Sequence, residues 1–109
     1  MKIDVMGTEY DVLIDDLNNP ELSDADGVCR QFDKEIVIRN KQYQAGCSDN
    51  AQNERYSHVV RHELIHAIAC ECGVNYDEDE NLVDWIAHII PTVVKLEREV
   101  LSDKVRGFV

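Results

Sequence analysis

The strongest constraint on the fold is the stretch from Asp49 to Cys72, which contains neither glycine nor proline. Ser48, just before it, is a good helix N-cap, and Gly73, just after it, is the residue type that most often ends a helix. The stretch therefore predicts one helix over about 49–72. Its second half is apolar nearly all round the helix axis, which is typical of a helix at the centre of a domain.

A second helix is predicted for about 78–102, where apolar residues recur at helical spacing. Pro91 lies inside it and has no backbone N–H, so we expect a kink or a restart at that point. The link 74–77 between the two helices is short, which favours packing of one helix against the other.

The first part of the chain, about 1–47, has the pattern of strands and turns. Two hairpins are predicted: 2–5 with 10–14, turning at Gly7, and 28–32 with 35–39, joined by the two residues Asp33 and Lys34. Strands followed by helices are typical of the α+β class, in which a small sheet packs against the helices.

The composition indicates one folded domain, 1–109, since 109 residues with 44% apolar residues can bury only one small core. The formal charge of −11 repels phosphate backbones and acidic lipids, so we expect neither nucleic acid nor a membrane as a partner. No signal peptide or transmembrane segment is visible, which favours a cytoplasmic location. We expect the four cysteines to be buried thiols: Cys29, Cys47, Cys70 and Cys72.

Inside the first predicted helix lies His62-Glu63-Leu64-Ile65-His66, an H-E-x-x-H pattern. Residues four apart differ by about 40° round a helix and about 6 Å along it, so both imidazoles can reach one ion about 2 Å away. Glu63 is about 60° from His66 round the axis, which suits a base better than a ligand. We therefore expect a zinc site where Glu63 takes a proton from a water made more acidic by the ion. The competing interpretation is a pair of core histidines hydrogen-bonded to backbone or acids.

A catalytic zinc needs a third protein ligand, and the second helix has acidic residues near its start. We expect Glu80 to be this ligand, with Glu78 or Asp84 as the alternatives. Asp84, one turn beyond Glu80, is expected to hydrogen-bond the outer nitrogen of a ligand histidine and so to fix its tautomer. Acidic residues are also common at helix starts without any metal, because the helix dipole favours them there.

Two further residues continue the row of His62 and His66 on the first helix: His58 and Cys70. Three consecutive members of the row span about 12 Å, which is too far for one ion. A His58/His62 pair would put Val59 where the base is needed, so His62/His66 is the better pair. We expect His58 to lie beside the site or at the surface, and Cys70 to pack in the core.

His88, one turn beyond Asp84, is a candidate for lining the cleft and stabilising an oxyanion. Tyr43 and Tyr76 are weaker candidates for the same role. Trp85 is expected either in the core or as a lid over the ligands.

The pattern His62-Glu63-x-x-His66 followed by Glu80-x-x-x-Asp84 resembles the gluzincin branch of the zinc metallopeptidases. The order of elements, with DENLVDWIA in the second helix, is similar to that of minigluzincins and small phage-encoded metallopeptidases over about residues 27–90. The resemblance implies an abbreviated zincin-like fold, in which a small twisted sheet packs on an active-site helix and a ligand-bearing helix. It also implies one Zn²⁺ per chain and hydrolysis of a protein or peptide substrate laid along an edge strand, 35–40.

A zinc-dependent peptidase with Glu63 as general base is thus the leading hypothesis. The alternative from another class is a catalytically weak or inactive zinc-binding module that docks a second protein, such as an accessory protein of a phage acting in the host cytoplasm. A metal-free α+β domain is the third interpretation. The presence of Glu63 favours the enzyme, because a binding module has no need of a base beside the ion.

Overall fold

The computed structural model describes residues 1–16, 20–22, 24–45, 48–73 and 79–102. Within these ranges the chain is a small α+β domain with a four-stranded sheet and two long helices. Short 3-10 turns occupy Pro20–Leu22 and Lys41–Tyr43. The strands are β1 (Lys2–Val5), β2 (Thr8–Asp15), β3 (Gly27–Arg30) and β4 (Glu35–Arg39), and the helices are α1 (Asp49–Cys72) and α2 (Glu80–Ser102).

The sheet is mixed, with the strand order β1-β2-β4-β3. β1 and β2 form the predicted hairpin, and Met6 (φ 52°) and Gly7 (φ 92°) form its turn. A tight two-residue turn of this kind needs a positive φ at both positions, which explains the glycine. β2 then pairs in parallel with β4, a pairing that the sequence analysis did not predict.

The second predicted hairpin forms, but its connection is longer than expected. Arg30 pairs with Glu35, so residues 31–34 make up the loop and Phe32 is fully exposed instead of extending β3. Asp33 and Lys34 lack the glycine that favours a two-residue turn, and Lys34 alone of the two adopts a positive φ, of 55°.

β4 lies between β2 and β3, so the prediction of 35–40 as an edge strand is wrong. The edge strand on that side of the sheet is β3, which also contacts α1. Any peptide added to this edge would therefore pair with 27–30.

Helix α1 has the predicted bounds and both predicted caps. The Ser48 hydroxyl accepts a hydrogen bond from the amide of Ala51, and Gly73 ends the helix in the left-handed conformation at φ 69°. α1 also has the predicted central place, because its buried residues contribute to two cores. Those between sheet and helix are Val5, Tyr10, Ile36, Ile38 and Ala67, and those between the two helices are Ile65, Val83 and Ala87.

Helix α2 runs through Pro91 without a break. A proline has no N–H, so the carbonyl of Ala87, four residues earlier, loses its helical donor. Arg61 of α1 donates a hydrogen bond from Nε to that carbonyl over 2.9 Å. Since Ala87 is fully buried, this bond satisfies an acceptor that water cannot reach. The predicted restart at Pro91 is therefore wrong, while a bend there stays a prediction.

The cysteines only partly follow the prediction. Cys29 and Cys70 are half-buried and not in a disulfide, but Cys72 is exposed at the end of α1, where its Sγ lies 3.2 Å from Met6 Sδ. Cys47 lies outside the described residues. None of the helices in the described ranges combines the length and apolar character that a membrane crossing requires.

Candidate metal centre

His62 and His66 of α1 converge on the first residue of α2. Their Nε2 atoms lie 2.8 and 2.9 Å from the two carboxylate oxygens of Glu80. The two rings are 5.0 Å apart between centroids, and both side chains are largely buried. Neighbouring donors on one tetrahedral zinc are about 3–3.5 Å apart. The three donor atoms already lie within 4.8 Å of one another, so small side-chain movements suffice for them to share an ion.

The position of Glu80 follows from how α2 begins. The carboxylate of Asp79 accepts a hydrogen bond from the amide of Leu82 over 3.1 Å, which is a helix N-cap. The cap makes Glu80 the first residue of the helix and directs it towards α1. Of the alternatives for the third ligand, Glu78 lies outside the described residues, and Asp84 contacts different histidine atoms.

Asp84 lies beside the outer nitrogen of His62, as predicted, but also contacts His58. Its Oδ1 atom is 3.4 Å from His62 Nδ1 and 2.6 Å from His58 Nε2. The hydrogen bond with His58 is the main reason why the pKa of Asp84 is lowered, with His62 adding to the effect. His58, His62 and Asp84 form a second group whose donor atoms lie within 4.8 Å of one another.

Glu63 is buried behind the two histidines and lines the same cleft. Burial raises the pKa of Glu63 to about 7; the neighbouring His62 opposes this rise, and Glu80 adds to it. The packing of β3 on α1 depends on Gly27, where a Cβ would lie 2.9 Å from Glu63 Cγ and 3.0 Å from Val59 Cγ1. Gly27 therefore allows the edge strand to pass directly over the carboxylate.

The cleft has a volume of about 770 Å³. Three parts of the chain line it: the segment from Asp24 into β3, the middle of α1, and the first turns of α2. The carboxylate of Asp26 is neutralised by Arg55, whose Nε lies 2.7 Å from it, and by Arg39 at 3.4 Å. The other exposed carboxylates that line the cleft leave it acidic, which favours a cation or a basic ligand: Asp24, Glu80 and Asp84.

The remaining sequence candidates that the structure describes do not line this cleft. His88 is exposed, and its ring lies 6.3 Å from that of His58, further along α2. Tyr43 is exposed in a 3-10 turn outside the cleft, and Tyr76 lies outside the described residues. Trp85 is 58% exposed, so the expectation that it is a core residue is wrong, and it is not among the residues that line the cleft.

Two residues at the site make contacts that were not predicted from the sequence. His58 has a visible signal, since it lies one turn before His62 in the same row, but only the structure reveals its contact with Asp84. Gly27 has no such signal in the sequence, because it matters through its contact with α1 residues that lie more than thirty positions further along the chain.

Comparisons with protein-family models, with curated proteins and with solved structures find no match to this chain. The resemblance to the gluzincins therefore rests on the motif residues alone.

Proposed function

We propose that the chain is a zinc-dependent peptidase in which His62, His66 and Glu80 hold one Zn²⁺. The observation that carries the proposal is the convergence of two imidazole nitrogens and a carboxylate within 4.8 Å, beside a buried fourth side chain, Glu63. Two histidines and one carboxylate are a donor set that suits zinc and leaves one position open for chemistry. Zinc in such a set supplies Lewis acidity, which acidifies water and polarises a carbonyl.

Glu63 is the general base in this proposal. It is adjacent to the two histidines but is not one of the converging donors, so its oxygens stay available for a proton. As general base, the carboxylate would accept a proton from the attacking water and pass it to the leaving amine. Asp84, at 3.4 Å from His62 Nδ1, favours the tautomer of His62 that keeps its Nε2 lone pair free.

The substrate in this proposal is an extended peptide that adds to the outer edge of β3. In the part of the chain that the structure describes, this strand pairs with β4 on one side only, and residues 27–29 line the cleft together with Glu63. An edge strand offers unpaired N–H and C=O groups, which hold a peptide independently of its side chains. A peptide in that position would lie one strand spacing, about 4.8 Å, from residues 27–29, which line the same cleft as Glu63.

Metal analysis and peptide cleavage together test the proposal. The purified chain should bind one zinc, and His62→Ala should lose it, whereas His88→Ala, a change at an exposed histidine outside the cleft, should not. Glu63→Gln should keep the zinc and lose cleavage by at least about 100-fold, since a general base contributes about 10²–10⁴-fold. Glu54→Gln, at an exposed glutamate of the same helix, is the matched control. Cleavage by Glu63→Gln at the wild-type rate would refute the role of Glu63.

A zinc-binding interaction module is the second candidate, and one observation favours it. Among the described residues that line the cleft there is no tyrosine, and the histidine other than the two ligands, His58, is bonded to Asp84. A tyrosine, or a further histidine not already bonded to a carboxylate, is thus not found among the described residues that line the cleft to stabilise an oxyanion. A zinc-loaded wild-type chain that cleaves no member of a peptide library would favour the module.

A further inference from the structure

A histidine outside the donor set contacts the centre through an aspartate. His58 lies on α1 one turn before His62, and its side chain is only 27% exposed. Its Nε2 atom is 2.6 Å from Asp84 Oδ1 on the neighbouring helix. Since a carboxylate can only accept, His58 donates this hydrogen bond, and its Nε2 carries the proton.

Asp84 needs such a restraint. Its side chain is 61% exposed, and within the described residues its contacts with His58 and His62 are what keeps the carboxylate turned towards α1 rather than towards water. The oxygen that His58 holds is the same one that lies 3.4 Å from His62 Nδ1. Fixing this oxygen against His62 favours the tautomer with a proton on Nδ1, which leaves Nε2 free to bind an ion.

We propose that His58 is a positioning residue for the metal centre: it holds Asp84 in place, and Asp84 in turn orients His62. The proposal rests on the proposed function, because it assigns His58 a role in zinc affinity. His58 itself is not a ligand in this arrangement, since its Nε2 is committed to Asp84. Two further histidine rings lie near that of His58, His88 at 6.3 Å and His62 at 6.5 Å between centroids.

Three substitutions separate the hydrogen bond from the mere presence of a ring. His58→Gln places an amide N–H close to the position of Nε2 and should restore the bond, whereas His58→Asn places it near Nδ1, out of reach of Asp84. His58→Ala removes the group. Zinc affinity, measured by competition with a chromophoric chelator, should fall about 10-fold in the Ala and Asn variants and less than threefold in the Gln variant.

A double substitution and a spectrum complete the test. If His58 acts through Asp84, adding His58→Ala to Asp84→Asn should lower the affinity no further. The visible spectrum of bound Co²⁺ should be the same in wild type and His58→Ala, because the ligands are unchanged. The thermal unfolding of the metal-free variants should match that of wild type within a few degrees, which separates positioning from folding.

Different failures point to different errors. Wild-type affinity in all three variants, or equal losses in the Gln and Ala variants, overturns the positioning role alone. A changed Co²⁺ spectrum or a lost ion in His58→Ala also overturns it and makes His58 a ligand, through the group of His58, His62 and Asp84. A wild-type chain that binds no zinc overturns the proposed function together with this inference.

Discussion

Replacing Arg61 with methionine should destabilise the domain, because it removes the donor to the buried carbonyl of Ala87. Methionine keeps most of the length and the apolar stem of the side chain but has no N–H. A hydrogen bond from a charged donor contributes about 1.5–3 kcal/mol, and a buried acceptor without a donor costs about 1–3 kcal/mol. We therefore expect Arg61→Met to lower the free energy of unfolding by about 2 kcal/mol.

Pro91→Ala provides the matched background for this change. Alanine at position 91 restores the N–H that pairs with the carbonyl of Ala87 in a regular helix. With a second donor present, the loss of Arg61 should matter less. We expect Arg61→Met to cost at least about 1 kcal/mol less in the Pro91→Ala background than in the wild-type background.

Urea denaturation followed by far-ultraviolet circular dichroism measures both costs. Excess chelator keeps bound metal from contributing to stability. With an m-value of about 1–3 kcal/mol per molar urea, a loss of about 2 kcal/mol lowers the midpoint by roughly 1 M. If Arg61→Met costs the same in both backgrounds, to within about 0.5 kcal/mol, its effect does not act through the Ala87 carbonyl and the reasoning is refuted.

Two further predictions concern the sheet side of α1. Gly27→Ala should cost about 1–3 kcal/mol of stability and reduce peptide cleavage, because its Cβ would lie 2.9 Å from Glu63 Cγ. The stability cost in urea should shrink when Glu63→Ala is also present, and an undiminished cost would contradict this explanation. The pKa of Glu71 is lowered from 4.5 to about 2 by hydrogen bonds from Lys34, Tyr10 and Thr8. The ionised Glu71 carboxylate therefore stabilises the fold fully above about pH 4.5, and this stabilisation is lost as the pH falls towards 2. Glu71→Gln should make the free energy of unfolding depend less on pH in this range. An unchanged pH dependence would refute the assignment.

Local signals in the sequence predicted the helices well. Ser48 and Gly73 act on the chain next to them, so α1 has the bounds that these two caps indicate. The H-E-x-x-H spacing fixes a relation within one helix, and both histidines and Glu63 therefore lie as expected. The position of Glu80 near the two histidines could be predicted by similar reasoning, because a short link to a helix that packs antiparallel on α1 leaves few places for the first turn of α2.

Relations between distant segments were not predictable in the same way. The choice of β4 as a central strand depends on its parallel pairing with β2, and no local pattern in either strand encodes that pairing. The restart expected at Pro91 was wrong for a similar reason, since the compensating donor, Arg61, comes from another helix. Sequence patterns report what a residue can do locally, whereas these outcomes depend on which neighbour the fold supplies.

The two halves of the candidate centre lie on different helices, which makes the packing of α2 on α1 part of the site. Beyond Pro91 every residue of α2 up to Ser102 is exposed, so α2 is held to α1 by its first three turns. These turns also carry the contacts of Glu80 and Asp84 with the histidines of α1. An ion shared by His62, His66 and Glu80 would therefore join the two helices where they meet, and its binding energy would add to the free energy that keeps α2 in place. In the proposed function, metal affinity and the docking of α2 on α1 would therefore be one coupled equilibrium.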